Sequence, residues 1–150
     1  MRAIVAALLL AASSQAVAKD PTIERAWIRE APPGAPAMAG FMAIEGGSRD
    51  TEIVGAHSAD FGRVEIHEML EEGGVMKMRT IERLEVPAGA RLTLAPGAEH
   101  LMLFEAKRPL AAGDMVTITF ELSKGDPVDV EFAVAKGAPG KQGDHAHHGH

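Results

Sequence analysis

The 150 residues predict an all-β chain, an antiparallel β-sandwich or barrel. Three observations point there. Apolar and polar residues alternate with period two in MVTITFEL (115–122) and PVDVEFAV (127–134). Gly and Pro break the chain into short apolar segments, and no stretch carries a helical stripe or a repeat of fixed period.

The elements follow in order. IERAWIR (23–29) and GFMAIE (40–45) flank the Pro-rich connection APPGAPA. TEIVGAHS (51–58), RVEIHEML (63–70) and VMKMRTIE (75–82) come next, then RLTL (91–94) and HLMLFEA (100–106). In the last two strands Val116, Ile118 and Phe120 take one face against Thr117, Thr119 and Glu121. Val128, Val130 and Phe132 likewise oppose Asp129 and Glu131. Met38, Met42 and Met115 are expected to pack, and His57 is expected at the surface.

Both ends differ from this core. MRAIVAALLLAASSQAVA (1–18) has one Arg, an apolar run and an A-x-A end, the form of a secretory signal peptide cleaved after Ala18. Its apolar run is too short to span a bilayer, and no membrane insertion is expected. Residues 19–135 then form the domain, and KGAPGKQGDHAHHGH (136–150) reads as a flexible His-rich tail. Removing the leader takes away Arg2 and no acid, which leaves 14 basic against 21 acidic side chains and a net charge of −7. That balance argues against nucleic acid and anionic membrane surfaces as partners. Cysteine is absent, so neither a disulfide nor a thiolate ligand exists, and a soft metal has only Met sulfur to use.

The segment HEMLEEGGVMKM (67–78) places one His and three Met around Glu-Glu-Gly-Gly. Taking EEGG as the loop predicts cross-strand pairs His67–Met78 and Met69–Met76, with Glu68–Lys77 and Leu70–Val75 on the other face. His67, Met69, Met76 and Met78 then share one face. In HLMLFEA, His100 and Met102 point the same way, about 6.6 Å apart along the strand, while Leu101 and Leu103 face the core. Imidazole and thioether are neutral ligands and thioether is soft, so a His2Met2 set favours Cu(I) over zinc and hard cations. Met69 and Met76 are expected to pack or to line such a site.

The spacing His67, ten residues, Met78, twenty-one residues, His100-Leu101-Met102 resembles the motif of the periplasmic copper chaperones called PCuAC, linked to the CuA centre of cytochrome c oxidase. AWIREAPPGAPAMAGFMAI, VEIHEM, GVMKMR, VPAGARLTLAPGAEHLML and LAAGDMVTITFEL are similar to that family as well, from about Trp27 to Val134. The resemblance implies a cupredoxin-like, Greek-key β-sandwich. It further implies Cu(I) bound by His67, Met78, His100 and Met102, and delivery to an oxidase subunit or assembly factor from a periplasmic monomer. The tail histidines His145, His147, His148 and His150 suit Cu(II), a use that some members of that family make of such tails.

Other classes fit less well. A blue-copper electron carrier needs a Cys thiolate. A copper oxidase needs a further redox-suited ligand set, and Lys19 as the new N-terminus supplies no histidine chelate, so no enzyme is expected. Copper storage or tolerance uses the same site without a dedicated acceptor and is the alternative to delivery.

Overall fold

The computed structural model describes residues 17–139; the leader apart from Val17 and Ala18, and the four tail histidines, lie outside them. Ten strands form: β1 (Thr22–Arg29), β2 (Ala37–Glu45), β3 (Thr51–His57), β4 (Phe61–Glu72), β5 (Val75–Ile81), β6 (Leu84–Val86), β7 (Arg91–Leu94), β8 (His100–Ala106), β9 (Met115–Leu122) and β10 (Val128–Ala135). The three-residue β6 is additional to the strands expected from sequence; it is a short apolar bracket that ends at Pro87.

Hydrogen bonding runs in the order β5-β4-β8-β2-β1-β10-β9-β3-β6, with β7 also on β2. β8 and β7 lie end to end along one edge of β2: Gly40 pairs with Leu101, and Met42 with Leu94. β1 leaves its register with β2 between Glu24 and Trp27, where Arg25 takes a φ of 52°. A bulge of this kind bends a strand. β1 then pairs in parallel with β10, through Trp27–Ala133 and Ile28–Val134, the one parallel pair among the described residues.

The two halves of this ribbon face each other across one core. The alternation expected for β9 holds, with Val116, Ile118 and Phe120 fully buried, joined by Phe132, Leu101, Leu103 and Ile28. The chain crosses from one half to the other between β3 and β4, and polar contacts anchor that corner. Ser58 Oγ donates to the Thr117 carbonyl at 2.7 Å, and Arg108 Nε to Asp60 Oδ1 at 2.7 Å. The bond to Asp60 raises the Arg108 pKa above its usual value. Met38 and Met42 are buried as expected, whereas Met115, the first residue of β9, is half exposed and lies outside the core.

A smaller apolar group sits on the opposite face of β1 and β2. Trp27 and Phe41 are buried with ring centroids 4.8 Å apart, and the Arg29 guanidinium lies over both rings.

Candidate metal centre

The site grows from the alternation of β4 and β8. Val64 and Ile66 on β4, and Leu101 and Leu103 on β8, turn into the core, so burial commits both strands to one facing. Glu65, His67 and Met69, with His100, Met102 and Phe104, must then emerge on the outer face. The register sets His67 directly opposite His100, and Glu65 opposite Met102. The two imidazole centroids are 6.0 Å apart.

The hairpin register differs from the sequence expectation by two residues. Met78 faces Met69, Thr80 faces His67, Met76 faces Glu71, and Glu72 pairs with Val75. Gly73 and Gly74 alone make the turn, with φ of 62° and 79°. Two successive positive φ values define a type I′ turn, which Gly-Gly adopts without strain, so no further loop residues are needed. On the other face Glu68 therefore meets Arg79, whose guanidinium bonds its carboxylate, and Leu70 meets Lys77. An even shift preserves the face, and Met69, Met76 and Met78 remain on the His67 side.

His67 thus occupies the middle of the set. His100 stands directly across, and Met102 and Met78 are its diagonal neighbours on the two flanking strands, about 7–8 Å away between Cα atoms. One residue past the Gly40–Leu101 pair, Phe41 comes level with His100, and Trp27 pairs with Phe41. His100, although on an outer face, is only 7% exposed.

Hydrogen bonds assign the ring nitrogens. His67 Nε2 lies 2.8 Å from Glu65 Oε2 and 3.3 Å from Thr80 Oγ1. A carboxylate only accepts, so in the neutral ring Nε2 carries the proton and Nδ1 the lone pair. That Nδ1 is buried and has no partner, a state that costs about 1–3 kcal/mol for a polar atom. His100 Nδ1 donates to the Ala98 carbonyl at 2.9 Å, which leaves its lone pair on Nε2. The two rings offer lone pairs through different nitrogens. The hydrogen bond from His67, with help from the Arg63 charge and from Thr80, lowers the Glu65 carboxyl pKa, while desolvation pushes the other way. Arg63 Nε also bonds Glu65 Oε1 at 2.7 Å.

Two neutral nitrogen lone pairs beside thioethers can hold a soft monovalent cation. Among the described residues no group of three or more His, Cys, Asp or Glu forms a hard-metal cluster. Sequence reasoning selected His67, His100, Met102 and Met78 but missed Glu65 and Thr80. Glu65 stands two residues before His67 on its strand, so that signal was available; Thr80 depended on the hairpin register.

The family model LpqE-like, described as "Putative lipoprotein LpqE-like", matches residues 21–134. A lipoprotein from Leifsonia xyli subsp. xyli is 33% identical over 121 residues, which covers 78% of this chain and 72% of that protein. Among solved structures, the Cu(I) form of DR1885 from Deinococcus radiodurans is 27% identical with a TM-score of 0.62, covering 83% of each chain. The copper-bound PCuAC domain from PmoF2 has a TM-score of 0.65 at 23% identity, over 79% of this chain and 95% of that one. At that identity it speaks for the fold alone. The chain belongs to the LpqE-like family, the group of PCuAC-type β domains that its His-Met spacing resembles.

Proposed function

We propose that this chain is an exported copper carrier that binds Cu(I) through His67, His100, Met78 and Met102 and releases it to an acceptor. The observation that carries the reading is the buried, partnerless Nδ1 of His67, on a ring 6.0 Å from a second imidazole whose own lone pair is on Nε2. A buried ring nitrogen that no protein group bonds keeps its lone pair for a cation. The Cu(I) form of the related DR1885 supports the same reading.

All four ligands are neutral, so the bound ion keeps its single charge, and no thiolate holds it against transfer. Glu65 fixes the His67 ring from behind, in the manner of a carboxylate–histidine pair at a metal site. Export follows the leader sequence and the lipoprotein relatives, with the periplasm as destination and a cytochrome oxidase subunit or assembly factor as acceptor. The tail histidines His145, His147, His148 and His150 add a Cu(II) site, and no catalysis is assigned. β10 runs to Ala135, whose carbonyl accepts from the Glu30 amide, so a clean truncation falls after Pro139. That truncation is expected to abolish Cu(II) uptake and to leave Cu(I) binding unchanged.

Competition titration against a Cu(I) chelator, with X-ray absorption on the same sample, tests the centre. Two nitrogen and two sulfur neighbours are expected. Met78→Leu and His100→Ala are each expected to lower Cu(I) affinity while the fold persists. Parent-like affinity in both variants would place the site elsewhere.

A further inference from the structure

The hairpin tip holds a feature that the four-ligand centre does not use. Met69 and Met78 are directly opposed, and Met76 lies two residues from Met78 on the same face. Their Cα atoms are about 5 Å, 7 Å and 7–8 Å apart in the three pairings. Each side chain has three rotatable bonds, so three sulfurs can meet over that patch.

Packing does not explain Met76 and Met78. Val75, Met76 and Met78 are 58%, 53% and 51% exposed, and β5 ends the hydrogen-bonded order as an edge strand. A half-exposed methionine on an edge strand fills no core, and strands favour β-branched and aromatic residues instead. A Cβ at Gly73 or Gly74 would meet no atom within 4 Å, so the turn itself is open to solvent.

From these observations we infer that Met69, Met76 and Met78 form a second site, an all-thioether one, for a soft monovalent cation of the Cu(I) or Ag(I) class. It adjoins the histidine centre through Met78, a ligand common to both. Its role as a vestibule rests on the carrier reading, but its existence does not. A cation passes inward by ligand exchange: bonds to Met76 and Met69 sulfur break as bonds to His67 and His100 nitrogen and to Met102 sulfur form, with Met78 retained. Every donor is neutral, so no proton or electron moves. The shielded histidines bind and the half-exposed Met76 and Met78 receive.

The test uses Ag(I), a closed-shell soft cation without redox chemistry, and the methyl NMR signals of the methionines. In the His67→Ala/His100→Ala variant, Ag(I) is expected to shift the Met69, Met76 and Met78 methyls together. Adding Met69→Leu and Met76→Leu is expected to abolish the shift of Met78. Both changes conserve volume on an exposed hairpin, so the fold is expected to hold. In the parent chain, Ag(I) in excess of the histidine sites is expected to move the Met69 and Met76 methyls, which keeps the test open should the alanine variant not fold. Silent Met69 and Met76 methyls in both proteins overturn the thioether site alone. In the parent background, Met69→Leu/Met76→Leu is expected to retain Cu(I) affinity while uptake slows; a lost affinity would merge the two sites into one. Failure of the parent to bind Cu(I) refutes the carrier reading instead.

Discussion

Glu65 and His67 show how one hydrogen bond decides what a ring can ligate. With the proton held on Nε2 by the carboxylate, Nδ1 is the nitrogen left for a cation. Glu65→Leu removes that hold, and Cu(I) affinity is expected to fall by about 10–100-fold, the range for outer partners of metal-binding histidines. Glu65→Gln keeps an accepting oxygen and is expected to recover most of the loss in the same competition titration. The pair also has a pH signature. The folded pKa of Glu65 is lowered, so its stabilisation is present above the unfolded value, about 4.3, and is lost as pH falls through the folded value. Denaturant titrations along the acid limb are expected to show the parent more stable than Glu65→Gln at neutral pH, with the gap closing in acid. His67, His100 and the two methionines could be picked out from sequence because their types are uncommon and their spacing is distinctive. The place of Phe41 level with His100 could not, because it depends on β2 lying beside β8.

At the level of elements, the β4–β5 hairpin carries two of the four proposed ligands, His67 and Met78, and the clearest lesson in register. Glu-Glu-Gly-Gly reads as a four-residue loop, yet Gly73 and Gly74 suffice because each takes a positive φ. The Gly-Gly dipeptide held that information, and the even shift spared the face assignment. Replacing both glycines by Val forces two β-branched residues into that conformation at about 1–3 kcal/mol each. Hydrogen exchange is expected to quicken along β5 while β9 and β10 stay protected, with Cu(I) affinity reduced through Met78. The strands themselves were legible from alternation and turn residues. The short β6 and the parallel β1–β10 pair were not, since one has three residues and the other joins the two ends of the domain.

For the whole molecule, one continuous core supports a site on its outer surface, so stability and binding are separable. Phe132→Ala opens a cavity in the core and is expected to cost about 3–5 kcal/mol by denaturant titration. The folded fraction is expected to keep its Cu(I) affinity, since Phe132 faces away from His67 and His100. The central claim is that one cation bridges those two rings. Long-range proton–nitrogen NMR of the histidines, before and after Cu(I), tests it most directly, because closed-shell Cu(I) leaves the signals sharp. His67 Nδ1 and His100 Nε2 are expected to shift together, with His67 Nε2 still protonated. Unmoved nitrogens on both rings, with copper held by the protein, would contradict the account.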